Sequence, residues 1–362
     1  MERKKTILLT GATGLLGSYL LKLFLEEGHK VYALARSKDH INATSRVINS
    51  LRLWDETISP SSYAGKLIVV DGDITSSDFK IETKEIIALF RSEVEMIFHC
   101  AALTLFRAPL EIMRKINVEG TKNILDFSLT CLRLKNINYI STAFVAGNKN
   151  GIDFDENMLE LGQGFYNTYE QTKYEVEILL KDYQKKGLII SIFRPSVVMG
   201  DSKEGKTNNF HLFYEPTRFF SQGFFPAFPM NLDCSLNLIN IDIAAKAIFI
   251  LSDMEKSDVY HIVSPEDTNM HFFAKLASSY FNFEMPEFIP EEKFDFSAWT
   301  DGQKLLGGPF VPYCNYKTKF VSHKTQQIMS QYNFIYPQIN ESNLTKIFEY
   351  CDKVGFIKRK RL

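Results

Sequence analysis

Short apolar runs alternate with helix-periodic stretches through the first half of the chain. Residues 6–9, 30–35, 66–70, 96–100, 137–140 and 188–193 are apolar runs bounded by Gly, Asp or a helix signal, and they read as buried strands. Between them, residues 15–27, 108–132 and 168–185 repeat apolar positions with the period of one helix face. Strand and helix in alternation predict an α/β fold, a doubly wound parallel sheet with helices on both faces. From about Gly200 the pattern loosens into an aromatic, Pro-containing segment, then resumes as a helix over 238–251 and a strand over 259–263 that should return to the sheet. The expected organisation is a nucleotide-type sheet domain of residues 1–200 with about 235–265, and a smaller, mostly helical substrate cap of about 201–234 and 266–362. No internal repeat or low-complexity segment interrupts this.

The first strand runs into Thr10-Gly11-Ala12-Thr13-Gly14-Leu15-Leu16-Gly17, and a helix follows. Gly11 suits the tight turn, Gly14 lets backbone amides approach a pyrophosphate, and Gly17 lets helix and sheet pack closely. A glycine triplet alone also punctuates ordinary turns; strand, triplet, helix and second strand together predict a dinucleotide site. The second strand ends at Arg36, where an NAD site would offer a carboxylate to the ribose hydroxyls. Arg36, with Arg46 ten residues on, suits a 2′-phosphate, so NADP(H) is the expected cofactor; the alternative is that both are surface charges. Asp71-Gly72-Asp73-Ile74 follows the third strand, where a carboxylate could accept from an adenine amino group. His99-Cys100-Ala101-Ala102 ends the fourth with small residues where a cofactor would lie close. Nothing near Cys100 in sequence would lower its pKa, so it reads as a small filler and not a nucleophile.

The chemistry is expected at the carboxyl ends of the next strands. Tyr169 and Lys173 are four apart and share a helix face, so the ammonium could lower the phenol's pKa until it donates a proton near neutrality. Tyr313 and Lys317 have the same spacing, but Pro312 precedes Tyr313 and no strand of the nucleotide fold leads into the pair, which reads as chance. Thr142 distinguishes the first pair: it ends a strand one crossover earlier and could hold a carbonyl oxygen beside the phenol.

On these motifs, with Asn117-Val118-Glu119-Gly120-Thr121, Ser141-Thr142-Ala143 and Arg194-Pro195, the chain resembles the extended short-chain dehydrogenase/reductases, a Rossmann-type superfamily. The resemblance implies a catalytic set of Thr142, Tyr169 and Lys173, with Lys173 also bonding the nicotinamide ribose. It implies cofactor contacts from Gly11, Thr13, Gly14, Leu15, Leu16, Gly17, Arg36, Arg46, Asp73, Ile74, Cys100, Ala101, Ala102, Asn117, Tyr169, Lys173, Pro195 and Val197. Within the superfamily, "VYALARSKD" with Arg46, "HCAALTLF", "STAFVAG" and Glu177 most resemble the thioester reductase and fatty acyl-CoA reductase branch, of the male-sterility NAD-binding type. That branch reduces an acyl thioester with NADPH to an aldehyde or onward to an alcohol. An acyl-CoA, an acyl-carrier protein or another apolar carbonyl compound is therefore the implied partner. Thr168 and Thr172 depart from the branch's usual Gly and Ser, and beyond Gly205 only the approach to the 238–251 helix, with Asp242, and "VYHIVSP" match.

Phe210, Phe213, Phe219, Phe220, Phe224, Phe225 and Phe228 crowd the irregular stretch where the cap should begin; they could line an apolar tunnel or simply glue cap to sheet. Other readings share the scaffold. A sugar dehydratase would want acids after Thr142, where Ala143 and Phe144 stand, whereas a ketone or aldehyde reductase or a hydroxysteroid-type dehydrogenase needs the same three residues. A nucleotide-sugar epimerase has the same fold. A non-enzymatic NADP(H) sensor would tolerate loss of Tyr169 or Lys173, and both are present.

Composition narrows the classes further. The 362 residues carry a net charge of −1, and no basic stripe suggests nucleic acid. The five cysteines are scattered and never spaced C-x-x-C, so neither a disulfide framework nor a metal site is expected and a reducing cytoplasm fits. No stretch is apolar enough to span a bilayer, and the run behind Met1-Glu2-Arg3-Lys4-Lys5 breaks at Thr10 without a cleavage site. Lys358-Arg359-Lys360-Arg361 could meet an anionic partner, but reads first as a solvated tail. With no adenylation or carrier domain in these residues, a carrier-bound substrate is expected from another protein. Oligomeric state is left open.

Overall fold

The computed structural model describes residues 3–360. Seven strands form the central sheet: β1 (Thr6–Thr10), β2 (Lys30–Ala35), β3 (Leu67–Asp71), β4 (Met96–His99), β5 (Asn136–Ile140), β6 (Ile190–Pro195) and β7 (Asp258–Ile262). Their order is β7-β6-β5-β4-β1-β2-β3, all pairs parallel. The strand order reverses between β1 and β4, where Ile7 faces Met96 and Thr10 faces His99, so the carboxyl ends of these two strands flank the crevice at which such sheets bind ligands. Helices cover both faces, which is why β1 and β2 are nearly continuous apolar runs with Leu8, Leu9, Val31 and Ala33 fully buried. The packing helices include α1 (Leu15–Glu26), α2 (Ala43–Arg52), α3 (Lys84–Glu93), α4 (Gly120–Ser128), α5 (Thr168–Lys185) and α6 (Ile241–Leu251).

Three departures from the sequence pattern have local causes. The stretch read as one helix over 108–132 begins after Pro109 as Leu110–Met113, widens into a π-helical segment at Arg114–Glu119, and only then becomes α4. The wide segment carries Asn117, whose side chain brackets Leu103: its Oδ1 accepts from the Leu103 N–H at 2.7 Å and its Nδ2 donates to the Leu103 carbonyl at 3.0 Å. The helix read from residue 238 starts at Ile241, because Leu238–Asn240 is a short strand pairing with Val197–Met199. Third, the helix His323–Ser330, expected in the cap, packs on the sheet domain, with Met329 fully buried in the core beside α6.

The rest of the C-terminal region and residues 210–236 build a second core. Phe213, Phe219, Phe220, Phe225 and Phe228 pack there with Phe273 and Phe281 of the helix Met270–Phe281 and Ile347 and Phe348 of the helix Glu341–Lys353. The end of the chain lies over this core: the Lys360 N–H donates to the Phe281 carbonyl at 3.1 Å and Arg359 covers the Tyr280 ring, while Arg361 of the basic tail, like Met1 and Glu2, lies outside the described residues. Among the described residues no helix is long and apolar enough to cross a membrane.

Candidate active site

The glycine turn is built as its spacing demands. Gly11 has φ +74°, and a Cβ there would stand 2.6 Å from the Ala101 nitrogen; one on Gly17 would stand 2.1 Å from the Gly11 carbonyl oxygen. Helix α1 then starts at Leu15 behind Gly14, with no side chain capping its first amides. Those free N–H groups, at the positive end of the helix dipole, suit a pyrophosphate. Two adjoining cavities open over them and share Gly11, Gly14, Cys100 and Ala102. One extends past Thr13, Ala101, Asp73 and Ile74 to Arg36 and Arg46. The other runs over Leu15, Leu16 and Gly17 to Thr142, Tyr169, Lys173 and Pro195. A long cleft with small residues beneath its middle and cations at one end fits a dinucleotide.

At the arginine end, Arg46 donates to the Arg36 carbonyl, and the half-exposed Arg36 guanidinium lies 3.9 Å from Asp73. The carboxylates here are engaged. Asp73 accepts from the Thr75 N–H at 3.0 Å and the Thr75 hydroxyl at 2.9 Å, and Asp71 accepts from the Ser37 N–H at 3.0 Å.

At the other end, Thr142 is buried; its hydroxyl accepts from the Phe144 N–H at 3.3 Å, capping the 3₁₀ turn Ala143–Ala146. Tyr169 and Lys173 come from the first turns of α5, which is capped by the Asn167 side chain. Lys173 donates to the Ile140 carbonyl at 2.6 Å and to the Tyr139 hydroxyl at 3.1 Å, with its nitrogen 5.9 Å from the centre of the Tyr169 ring. Burial pushes the Lys173 ammonium down to about 7, with Cys100 and Glu177 opposing the shift. The Tyr169 phenol is pushed up, by burial and then by the Glu170 charge. The sequence-based expectation that Lys173 would lower it is thus corrected: loss of water around the phenol is the largest effect on it, and the Glu170 charge adds to the rise. Burial also drives the Cys100 thiol up to about 12, which fits a filler and not a nucleophile. Beneath the site, Glu177 and Arg194 form a wholly buried two-point ion pair, 3.0 Å between Nε and Oε1 and 2.7 Å between Nη2 and Oε2, and Ser141 donates to the same carboxylate.

Two further spaces adjoin the cleft. An open groove bounded by Leu105, Arg107, Glu215 and Phe310 meets it along Thr104, Phe106, His211 and Leu212. An apolar cavity inside the cap touches it at Leu212 and Tyr313.

Residues 9–248 match the family model described as male sterility protein, an NAD-binding domain. This chain belongs to the male sterility protein family. It is 26% identical to a linear gramicidin synthase of Brevibacillus parabrevis over 97% of its own length, but spans only 7% of that protein. It is 25% identical to probable fatty acyl-CoA reductase 5 of Arabidopsis thaliana, covering 75% of this chain and 68% of the plant protein. Among solved structures, the terminal R domain of the myxalamid PKS-NRPS biosynthetic pathway superposes with a TM-score of 0.85 at 25% identity, covering 100% of this chain and 94% of that one. Family and fold together show an NAD-binding domain on an extended short-chain dehydrogenase/reductase scaffold, with the cleft at the point where the strand order reverses.

Within this male sterility family member, most residues singled out by sequence line the cleft, and two do not. Val197 is packed in the second core, and its neighbour Val198 faces the cleft instead, because the strand alternates its sides. Asn117 is buried under the loop after β4, where it also donates to the Thr172 hydroxyl at 3.0 Å, so it shapes the cleft wall from behind. Sequence reasoning missed Glu170 and Tyr313, both buried and both lining the cleft. Tyr313 donates to the Glu170 carboxylate and accepts from the Asn167 amide at 2.6 Å, while Lys317 is exposed, so Tyr313 pairs with α5 and not with the lysine four residues on. No local signal joins positions 170 and 313; only the fold brings them together.

Proposed function

We propose that this protein uses NADPH to reduce an acyl thioester, carried on CoA or on an acyl-carrier protein, to an aldehyde or onward to an alcohol. The observation that carries the reading is the convergence of Thr142, Tyr169 and Lys173 on one cleft whose floor is the glycine turn. NADPH over NADH is supported by Arg36 and Arg46 at the far end of that cleft, since a guanidinium carries the charge opposite to a 2′-phosphate and can bond two of its oxygens at once. The thioester is supported by the likeness to a fatty acyl-CoA reductase and by the open groove, which lies beside the cleft where a carrier's polar arm would have to approach.

When bound, the reduced cofactor supplies a hydride, so that thioester, NADPH and a proton become aldehyde, NADP and free thiol. Thr142 and Tyr169 hydrogen-bond the carbonyl oxygen as it gathers negative charge. The phenol, kept protonated by its burial, gives its proton to that oxygen. Lys173 holds the phenol side of the cleft and, by family likeness, the cofactor ribose. The hemithioacetal then loses its hydroxyl proton as the C–S bond breaks; the bond's electron pair leaves with sulfur, which takes up a proton. Simultaneous recording of NADPH absorbance and free thiol, over acyl-CoA, acyl-carrier, ketone, aldehyde and nucleotide-sugar substrates, tests this. One thiol per NADPH is expected in the aldehyde-forming step. Prompt reduction of a ketone with no thiol from any acyl thioester would overturn it.

A further inference from the structure

Three spaces meet at Leu212, a residue held at φ +54°: the catalytic cleft, the open groove and the apolar cavity in the cap. The cavity is lined by Phe213, Phe220, Phe228, Met230, Phe273 and Ala277 among others, and no charged side chain lines it. Its few polar groups are already engaged. The Thr217 hydroxyl donates to the Phe213 carbonyl at 2.6 Å, and the Tyr313 hydroxyl is turned away to Glu170. A ligand entering here would find no partner for a polar atom, so only an apolar chain is stabilised inside.

Tyr313 forms the wall between cavity and cleft. Its ring stacks on Phe106 with centroids 5.9 Å apart and meets Phe144 edge-on at 5.6 Å, and Phe106 stacks in turn on Tyr169 at 6.3 Å. Its hydroxyl is held by Asn167 and Glu170, which flank Tyr169 at the start of α5. The wall is therefore in register with the residue that would hold the reacting carbonyl.

We propose that the cavity behind Tyr313 is the seat of the substrate's acyl chain, and that Tyr313 and Leu212 frame its mouth and set the chain length accepted. The inference rests on the thioester reading for the head group alone; the binding of an apolar chain is independent of it. Of the crowded phenylalanines, Phe213, Phe220 and Phe228 line the cavity. Phe219 and Phe225 serve the cap core instead, Phe210 stacks on Phe356, and Phe224 is exposed.

Two measurements on the whole chain test this. The cavity measures about 70 Å³, so it admits a short chain: the affinity of straight-chain fatty acids, read by calorimetry from acetate upward, should tighten up to about fourfold per methylene and level off once the cavity is full. In parallel, thiol release is followed from acetyl- to palmitoyl-CoA. Ala274→Leu, which fills the cavity, should lower the long-to-short preference by about tenfold or more, and Tyr313→Ala should raise it. Leu212→Ala, on an irregular segment, should also raise it and stands in if either core variant fails to bind NADPH. Fatty-acid binding with the expected variant shifts but no thiol release would retain the cavity and remove the thioester reading. Thiol release with chain-length preference unmoved in Ala274→Leu and Leu212→Ala would retain the thioester reading and overturn the cavity.

Discussion

At the Tyr169 phenol, burial and the Glu170 charge act in the same direction, so both favour the protonated group. Tyr169→Phe keeps the ring and removes the proton: turnover should fall by about 10²- to 10⁴-fold while NADPH affinity, read by fluorescence titration, stays within about twofold. Tyr313→Phe should not reproduce that loss in the chemical step, measured by single-turnover kinetics, because its hydroxyl serves Glu170. Two buried groups on α5 give opposite pH dependences. Glu170 is raised by burial from 4.5 to about 7, so the folded chain binds the extra proton between those values and its stability falls as pH rises through them. Lys173 is lowered by burial from 10.5 to about 7, so the unfolded chain binds the extra proton in that window and stability rises with pH across it. Denaturant midpoints measured from acid to alkaline pH should show the first slope reduced in Glu170→Gln and the second reduced in Lys173→Met; parallel curves for variants and parent would refute these assignments.

At the scale of elements, the cleft is shaped by where helices begin and where they are interrupted. Helix α1 leaves its first amides uncapped because Gly14 has no side chain to offer them, whereas α5 is capped by Asn167 and so presents side chains instead of amides to the cleft. The π-helical turn before α4 brings Asn117 to both backbone groups of Leu103, fixing the loop that follows β4. Asn117→Ala would remove the partner of that part-buried N–H and C=O and should cost about 0.5–1.5 kcal/mol for each bond lost. Cofactor affinity should weaken with it; equal stability of Asn117→Ala and the parent in urea would show the bracket to be dispensable.

At the scale of the whole molecule, one end of the cleft is set by charge and the other by apolar packing, and the two should be separable by mutation. Arg36 and Arg46 lie at one end, and the cap cavity at the other. NADPH should bind at least tenfold tighter than NADH, about 1.4 kcal/mol, and Arg36→Ala should erase most of that ratio without changing which acyl chain is preferred. Titration with both cofactors decides it, since an unchanged ratio in Arg36→Ala would make the arginine an ordinary surface charge.

The sheet, its strand positions and the glycine turn were legible in the sequence because each is specified locally: a buried parallel strand must be apolar throughout, and a turn at which a Cβ would stand 2.6 Å from another backbone admits only Gly. That Tyr169 and Lys173 share one helix face was legible for the same reason, since one helix turn sets their separation. Protonation was not, because the expected ammonium effect on Tyr169 depends on how much water the fold removes from both groups. Nor were the edge details: a π turn, a strand of three residues before α6 and the inward turn of Val197 depend on neighbours distant in sequence. The cap was least legible. Its phenylalanines announce a core, but which of them line a cavity, and that Tyr313 reaches across 143 residues to Glu170, are decided only when residues 308–315 fold against α5.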